Sequence, residues 1–332
     1  MAISLVTGGA GFMGSHLAEH LLQRGGQVVI LDDLSGGFTE NVPPEATFIQ
    51  GSILDHALLE RLFERYSFDY VYHFAAYAAE ALSHFIRRFN YSNNLTGTAN
   101  LINESVNHGV KCFVFASSIA VYGELPSPLT EEMTAMPEDP YGIAKLAAEQ
   151  DLRLAHKMFG LPYVIFRPHN VYGERQNIAD AYRNAVGIFM NQVLKGEPMT
   201  IFGDGEQQRA FTCVRDVIPI LADCVHVKDA QNQVFNIGSD TPSTVNELAH
   251  RVASALGRAC KIKYLPPRSE AKISFCGHEK IRRVFRTAPE TSLERGIHAM
   301  AKWVRAHGPR QSRSFEAIEI SKNLPAGWRR AA

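Results

Sequence analysis

Over the first two-thirds of the chain, short apolar runs rich in β-branched residues alternate with stretches of helical periodicity. Most of these runs lack a polar residue at every second position, which is typical of parallel strands covered on both faces. The alternation predicts an α/β protein with a doubly wound parallel sheet. The predicted strands are 2–7, 27–33, 46–51, 70–76, 111–118, 163–170 and, later, 233–238, and the predicted helices between them are 12–23, 56–65, 93–108 and 141–158.

Beyond the sixth predicted strand the pattern becomes less regular. One helix is predicted at roughly 182–195 among turn-rich connections, and another at 244–256. Ser243 or Thr244 would cap the second of these helices, because Glu247 follows at about the spacing of a capping box. We interpret this part of the chain as a smaller, mixed α/β region that covers one end of the sheet.

The overall composition is that of a globular protein without net charge. The chain has 332 residues, of which 45% are apolar, and its 34 basic residues balance its 34 acidic residues. Without a net field we expect neither nucleic acid nor an anionic membrane as a partner, and no apolar run approaches the ~18 residues of a membrane span. Arginines gather toward the end of the chain, where they could grip an anionic ligand or form a solvated face: Arg282, Arg283, Arg286, Arg305, Arg310, Arg313, Arg329 and Arg330.

The cysteines and the N-terminus indicate a reducing compartment. The five cysteines are scattered and none forms a C-x-x-C pair, so neither a disulfide framework nor a metal site is indicated. The N-terminus enters a predicted strand directly, without the architecture of a signal peptide. We therefore expect a cytoplasmic protein.

The first predicted strand runs into TGGAGFMGSH, which spaces Gly8, Gly11 and Gly14 as G-x-x-G-x-x-G. Glycines between a strand and a helix permit a tight turn and a close backbone approach to phosphate at the helix N-terminus. The second predicted strand ends in Asp32, whose carboxylate can accept hydrogen bonds from a ribose diol and would repel a 2′-phosphate. A plain glycine turn is the alternative, but the context predicts a Rossmann-type site for NAD rather than NADP.

A second motif, PYGIAK, places Tyr141 and Lys145 four residues apart near the start of a predicted helix, so both side chains can point into one pocket. A tyrosine with its ordinary pKa near ~10 is a poor base at neutral pH. A neighbouring ammonium group, with the positive nicotinamide of NAD⁺ nearby, would lower the pKa of Tyr141 and make it a usable general base for a hydroxyl. Ser118 ends a predicted strand, at the edge where ligands bind in such sheets. Ser118, Tyr141 and Lys145 are therefore the candidate catalytic residues, although Y-x-x-x-K alone also occurs on ordinary helix faces.

In these features the chain resembles the extended short-chain dehydrogenases/reductases, and among them the nucleotide-sugar 4-epimerases of the UDP-glucose 4-epimerase type. The resemblance implies an NAD-binding domain formed by 1–167 and 209–237 and a nucleotide-sugar-binding domain formed by 168–208 and 238–332. It also implies a homodimer through the helices 93–108 and 141–158. The matching segments, in the family's order over roughly residues 1–290, are VTGGAGFMGSH, LDDLS, HFAA, NNLTGT, ASSIAVYG, PYGIAK, RPHNVYG, FGDGEQQRAFTCVRDV and FNIG.

By this resemblance, Tyr141 would take the proton of the sugar 4-hydroxyl while C4 gives its hydride to NAD⁺, and the hydride would return to the other face of the 4-keto sugar. Ser118 would hydrogen-bond the same oxygen, and Lys145 would hold the nicotinamide ribose. The resemblance also implies cofactor contacts by a set of residues along the crevice: Phe12, Met13, Asp33, Ser35, Ser52, Ile53, Phe74, Ala75, Ala76, Asn93 and Pro168.

On the substrate side, the resemblance assigns Asn170 and Arg209 to the nucleotide diphosphate and adds Arg268 as a second cationic contact, since the arginine fork suits phosphate. His169 lies beside the sugar in the same pattern, where the family often has an aromatic residue. It could be a sugar contact, an auxiliary acid or a packing residue. Phe275 occupies a position whose size in the family affects tolerance of a 2-N-acetyl group, and its bulk argues against N-acetylhexosamines.

Other departures from the family pattern concern the reaction and the cofactor. Sugar 4,6-dehydratases and nucleotide-glucuronate decarboxylases have acidic residues directly after the catalytic Ser/Thr. In 3,5-epimerases and 4-keto reductases a cysteine stands there. This chain has Ile119 and Ala120 at these positions. Because these residues cannot supply the additional acid, base or thiol, 4-epimerisation is the reaction that we expect. Ser52 replaces an adenine-binding aspartate, and Ala78 stands where the family often has a lysine or another polar residue.

A UDP-hexose is the expected substrate. A GDP-sugar or a modified nucleotide sugar, such as a uronic or deoxy sugar, remains an alternative on the same scaffold, as does a net oxidoreductase. A non-catalytic NAD-binding protein is a further alternative, disfavoured because Ser118, Tyr141 and Lys145 are all present.

Overall fold

The computed structural model describes residues 1–267, 271–287, 290–311, 315, 317–325 and 328. Its strands are β1 Ile3–Thr7, β2 Gln27–Asp32, β3 Thr47–Gln50, β4 Tyr70–His73, β5 Cys112–Ala116, β6 Tyr163–Pro168, β7 Val171–Tyr172, β8 Met199–Phe202, β9 Gln208–Ala210, β10 Thr212–Cys213, β11 Gln233–Ile237, β12 Pro242–Thr244, β13 Ile262–Leu265 and β14 Ile273–Ser274. Its α-helices are α1 Phe12–Gln23, α2 His56–Tyr66, α3 Glu80–Ser83, α4 Arg87–Tyr91, α5 Gly97–Asn107, α6 Pro140–Phe159, α7 Ala185–Lys195, α8 Val214–Asp223, α9 Val245–Ala255, α10 Glu279–Phe285 and α11 Leu293–His307.

Seven strands form one parallel sheet in the order β3-β2-β1-β4-β5-β6-β11. All seven predicted strands take part, which confirms the predicted doubly wound α/β fold. The chain winds outward from β1 in one direction and then returns to β4 on its other side, so the order reverses between these strands. Ligands of such sheets bind at the carboxyl ends of the strands beside that reversal.

Both faces of the sheet are buried, which explains the apolar runs without alternation. Along β1, Leu5 belongs to a core cluster with Phe63 of α2 and Leu152 of α6. Its neighbour Val6 points to the opposite face and belongs to a cluster with Leu17 of α1. A single-residue shift in register would exchange the two faces, so packing of both sides specifies one pairing.

A third core cluster lies among α7, β8, α9 and α11, which we call the C-terminal region. Three small sheets lie outside the large sheet: β10-β7, β12-β9-β14 and β13-β8. One helix of the segment predicted as the second domain, α10, packs instead on the large sheet, because Ile281 joins the cluster around Val6. No helix among the described residues is long and apolar enough to span a membrane.

The sequence predicted the start of α9 and the end of α6 correctly, but not the start of α5. Thr244 and Glu247 form the predicted capping box of α9. Gly160 ends α6 in the left-handed conformation (φ 77°), as a glycine after a helix predicts. The predicted helix 93–108 is interrupted, since Ser92–Thr96 form a π-helical turn before α5 begins.

Candidate active site

The turn between β1 and α1 has room for a phosphate group but not for side chains. A Cβ atom on Gly14 would lie 2.2 Å from the Gly8 carbonyl oxygen, and one on Gly8 would lie 2.7 Å from the Ala75 nitrogen. Gly8 also has a positive φ of 72°. Gly11 precedes α1 and has no side chain with which to cap it, so the first N–H groups of the helix can bind an anion. The turn therefore fits the diphosphate of a dinucleotide.

Phe12 and Met13, also predicted at this turn, form the first residues of α1 and pack on the cluster around Val6. Phe74, Ala75 and Ala76 follow β4 and border the glycine turn, with the Phe74 N–H donating to the Thr7 carbonyl over 3.1 Å. The predicted segments therefore meet at one edge of the sheet.

Asp32 ends β2 beside the glycine turn. Its carboxylate accepts hydrogen bonds from the Ala10 N–H (3.0 Å) and the Leu34 N–H (2.8 Å), which hold it in one orientation. Burial raises the pKa of Asp32, and these hydrogen bonds oppose the change. Asp33 and Ser35 are exposed and bonded to each other, because the Ser35 N–H donates to the Asp33 carboxylate over 2.9 Å.

Ser52 and Ile53, two predicted cofactor contacts, lie in the connection after β3. The Ser52 hydroxyl accepts from the Leu54 N–H over 3.2 Å, so it stabilises its own turn. Ile53 packs on Gly97 of α5, where an added Cβ would lie 2.4 Å from the Ile53 side chain. The Ile53 carbonyl also accepts from the Asn100 side chain (3.1 Å).

A buried hydrogen-bond chain that the sequence did not reveal connects β1, β4 and α5. The Thr98 hydroxyl donates to the Asn94 carbonyl (2.8 Å), so His73 Nε2 donates to Thr98 over 2.9 Å. The other ring nitrogen, Nδ1, then accepts from the Thr7 hydroxyl over 2.7 Å. Burial lowers the pKa of His73 well below its usual range, and Lys145 adds to the effect, so the ring is neutral.

The π-helical turn Ser92–Thr96 places two asparagines near the crevice. Asn93, a predicted cofactor contact, donates to the Asn94 side chain over 3.1 Å. Asn94 in turn accepts from the Tyr77 N–H (2.9 Å) and donates to the Asn90 side chain (2.8 Å). A π-helical turn is frequent at functional sites. Here it holds the segment after β4 against the start of α5.

Ser118, Tyr141 and Lys145 come together as the sequence predicts. Ser118 follows β5, its hydroxyl accepts from the Ala120 N–H over 3.1 Å, and it lies close enough to Tyr141 on α6 to lower that residue's pKa. Lys145, one turn further along α6, donates from Nζ to the Ala116 carbonyl at the end of β5 (2.7 Å). Its Nζ lies 5.8 Å from the centroid of the Tyr141 ring. All three side chains are largely buried at the carboxyl edge of the sheet.

The pKa values of the tyrosine and lysine differ from the sequence-based expectation. Burial raises the pKa of Tyr141, and the negative charge of Glu80 adds to this effect, while the nearby Ser118 hydroxyl opposes it. Burial also lowers the pKa of Lys145 to about 7, against the effect of Glu149. The expected lowering of the Tyr141 pKa is therefore not produced by the chain alone, because desolvation outweighs the Ser118 hydroxyl and the charge of Arg183, which both lower it. Bound NAD⁺ would add a further positive charge that acts in the same direction as Arg183.

The start of α6 determines where Tyr141 lies. Asp139 caps the helix, and its carboxylate accepts from the N–H groups of Tyr141 (2.9 Å) and Gly142 (3.0 Å). Ser83 at the end of α3 also donates to Asp139 over 3.2 Å. Pro140 occupies the first turn, where its missing N–H costs nothing.

A buried ion pair supports the same edge. Arg167, on β6, donates two hydrogen bonds to the Glu149 carboxylate on α6, at 2.8 and 2.6 Å. Glu149 also accepts from the Ser117 hydroxyl (2.5 Å), and Arg167 donates to the Tyr122 hydroxyl (2.8 Å). Ser117 directly precedes Ser118, so this network fixes the end of β5 next to the catalytic residues. The pair was missed because its partners belong to different predicted elements.

The predicted substrate residues follow β6 and lie on the small sheet β12-β9-β14. Pro168 ends β6, and Asn170 has a left-handed backbone (φ 43°) and donates to the Ala210 carbonyl over 3.2 Å. Arg209 lies on β9 and donates to the Gln208 carbonyl over 2.8 Å. Phe275 is half-buried, and its N–H donates to the Ser127 hydroxyl over 3.1 Å. Arg268 lies outside the described residues.

His169 lies inside the protein. Its Nδ1 is 3.2 Å from the Ala210 carbonyl, and its Nε2 is 3.1 Å from Nε2 of His278, whose other nitrogen contacts Asp240 at 2.5 Å. Burial lowers the pKa of His169 to about 3, and His278 adds to this effect. A side chain that is 1% exposed and neutral favours the packing interpretation over a sugar contact or an acid.

The geometry defines a class of enzyme. A tyrosine, a serine and a lysine meet beside a crevice that fits a dinucleotide, so the protein can move a hydroxyl proton while hydride passes between a carbon and NAD. The model of the "NAD dependent epimerase/dehydratase family" matches residues 4–238. The chain therefore belongs to that family.

Several relatives and solved structures match this chain over most of their length. The UDP-glucose 4-epimerase of Halalkalibacterium halodurans is 33% identical over 326 residues, which cover 92% of this chain and 96% of the relative. A structure of UDP-glucose 4-epimerase with UDP-glucose from Thermotoga maritima has a TM-score of 0.87 at 35% identity, covering 92% of this chain and 99% of its own. The Thermus thermophilus UDP-glucose 4-epimerase in complex with NAD has a TM-score of 0.85 at 32% identity, covering 91% and 99%.

Proposed function

We propose that this protein is an NAD-dependent nucleotide-sugar 4-epimerase that interconverts UDP-glucose and UDP-galactose. The observation that carries the proposal is that Ser118, Tyr141 and Lys145 lie together, largely buried, at the carboxyl edge of the sheet. The similar proteins named UDP-glucose 4-epimerase support the choice of sugar nucleotide.

In the proposed reaction, Tyr141 takes the proton of the sugar 4-hydroxyl and later returns it to the same oxygen. Ser118 donates a hydrogen bond to that oxygen, which stabilises the negative charge as the proton leaves. Lys145 holds the nicotinamide ribose at the end of β5. When bound, NAD would supply the acceptor for the C4 hydride, and the hydride would return to the opposite face once the 4-keto sugar has rotated, so no cofactor is consumed.

The residues after Ser118 support epimerisation over related reactions. Ile119 and Ala120 form the first turn of a 3₁₀ helix there, and neither carries a group that can transfer a proton. An elimination of water or a second epimerisation would need an additional acid or base. Inversion of a single carbon that carries a hydroxyl group needs only one proton-transfer site, and Tyr141 with Ser118 already provides it.

The choice of sugar can be tested with a panel of nucleotide sugars. We expect NMR to detect conversion of UDP-glucose and UDP-galactose into each other, without a lasting change in absorbance at 340 nm. UDP-N-acetylglucosamine should react more slowly, because Phe275 is bulky. Turnover of a GDP-sugar or a uronic sugar in place of the UDP-hexoses would contradict the proposed substrate, and steady accumulation of NADH would identify a net oxidoreductase.

We also propose a homodimer through α5 and α6. On α6, the apolar side chains of Leu154, Met158 and Phe159 are 58%, 69% and 68% exposed and border a groove between the two helices. Exposed apolar side chains gathered in one place indicate an interface. Met158→Asp should convert a dimer into a monomer in sedimentation velocity, whereas Tyr264→Asp, at another exposed site, should not. A wild-type monomer at micromolar concentration would refute this interface.

Two further assignments complete the proposal. The parts 1–167 and 209–237 would bind NAD, and the parts 168–208 and 238–332 would bind the nucleotide sugar. The cytoplasm is the proposed location, because all five cysteines are unpaired, and cell fractionation with immunoblotting tests it.

A further inference from the structure

Arg183 reaches the crevice from the connection between β7 and α7. Its Nε is 2.9 Å from the Asp180 carboxylate, and its guanidinium carbon lies 4.9 Å from the centroid of the Tyr77 ring. A Cβ atom on Gly36 would lie 2.8 Å from Nη2 of Arg183, so the absence of a side chain at Gly36 leaves room for the cation. Asn177 from the same connection also approaches Gly36, with its side-chain nitrogen 3.5 Å from the Gly36 carbonyl.

The two places that Arg183 touches lie at different points along the cofactor crevice. Gly36 follows Asp32, the predicted ribose contact at the adenosine end. Tyr77 follows Ala76 beside the glycine turn and is held by Asn94. Arg183 is also close enough to Tyr141 that its charge lowers the pKa of that hydroxyl, against the larger effect of burial. The cation therefore lies between the ribose end and the catalytic end.

Between these ends a dinucleotide carries its diphosphate, which has two negative charges. The turn from Gly8 to Gly14 offers backbone N–H groups but contains no lysine or arginine. Ala78 stands where the family often has a lysine or another polar residue, so that position supplies no charge either. Asp180 contacts Arg183 at Nε, and within the described residues no ion pair is seen at its two terminal nitrogens, which can therefore face an anion.

We propose that Arg183 supplies the cation for the diphosphate of bound NAD, reaching it from the connection between β7 and α7. Retention of the cofactor then depends on how this connection lies over the sheet, and not only on the glycine turn. The inference rests on NAD binding in the crevice and is independent of which sugar is the substrate.

The test compares Arg183→Ala and Arg183→Lys with the wild type in the full chain. As a matched control, Arg215→Ala removes an exposed arginine that pairs with Glu174. Calorimetric titrations of nucleotide-free protein with NAD⁺, ADP, adenosine and UDP separate the contribution of the cofactor diphosphate from those of the adenosine and of the substrate nucleotide. Loss of charge-assisted hydrogen bonds should weaken NAD⁺ and ADP roughly tenfold to hundredfold in Arg183→Ala. Adenosine affinity should change little, and Arg183→Lys should recover part of the loss.

Three outcomes would overturn the assignment. Unchanged ADP affinity would show that Arg183 does not meet the cofactor diphosphate. Loss of UDP affinity alone would assign the cation to the sugar nucleotide. Equal loss for adenosine and ADP, with lower stability in urea without nucleotide, would show a structural role in which Arg183 only holds Asp180 and Tyr77. If the protein converted none of the nucleotide sugars in the panel, these binding results could still be interpreted, because none of them measures turnover.

Discussion

Tyr141→Phe should lower kcat by about 10³-fold, the usual contribution of a positioned general base. The change removes one hydroxyl from a side chain that is 5% exposed, so packing of the ring is kept. Ser118 and Lys145 remain, and NAD should stay bound because the glycine turn and Asp32 are unchanged. Initial rates of UDP-galactose conversion, together with the NAD content of the purified variant, provide the measurement.

Tyr66→Phe is a suitable control, because it removes a tyrosine hydroxyl from α2, away from α6, and should leave kcat unchanged. Near-normal turnover by Tyr141→Phe would assign the proton transfer to another group. Loss of NAD together with turnover would mean that the hydroxyl contributes to the cofactor site, which also contradicts the proposed role.

Arg167→Met should destabilise the protein by about 3–5 kcal/mol, the cost of leaving one partner of a buried ion pair unpaired. The Glu149 carboxylate is fully buried and, among the described residues, would keep the Ser117 hydroxyl and two more distant cations, Arg153 at 3.8 Å and Lys145. Urea unfolding followed by circular dichroism measures the loss. Kinetic measurements should also reveal lower activity, since Ser117 and Ser118 are adjacent.

Arg153 provides the matched control for this pair. It contacts the same carboxylate, but its side chain is 47% exposed, so Arg153→Met should cost no more than about 1 kcal/mol. The double variant Glu149→Leu with Arg167→Met removes both buried charges and should recover much of the stability lost in Arg167→Met. Similar costs for the two arginine variants would contradict the assignment of the stabilising contact to Arg167.

The sequence predicted the placement of site residues best where a short segment carries its own geometry. The glycine turn, Asp32 at the end of β2, and Tyr141 with Lys145 on one helix face each depend on spacing within one or two neighbouring elements. The capping box of α9 belongs to the same kind of feature.

Contacts between distant segments were not accessible in this way. Thr7, His73 and Thr98 form one chain of hydrogen bonds although they come from three elements. Burial raises the pKa of Tyr141 in the chain by itself, and the sequence could not show this because the extent of burial depends on everything packed above the ring. His169 was left between three roles, and its 1% exposure beside His278 depends on a residue more than a hundred positions later.

Spacing along the chain was enough to determine the class of fold, the dinucleotide crevice and the three residues proposed for catalysis, because each follows from backbone periodicity and local turns. Folding in three dimensions decided which charges are buried, which tautomer His73 adopts and where Arg183 reaches, because desolvation and pairing across elements are properties of the packed molecule. The Glu149–Arg167 pair illustrates the difference. Both residues are visible in the chain, but only the packing of α6 against β6 makes them partners.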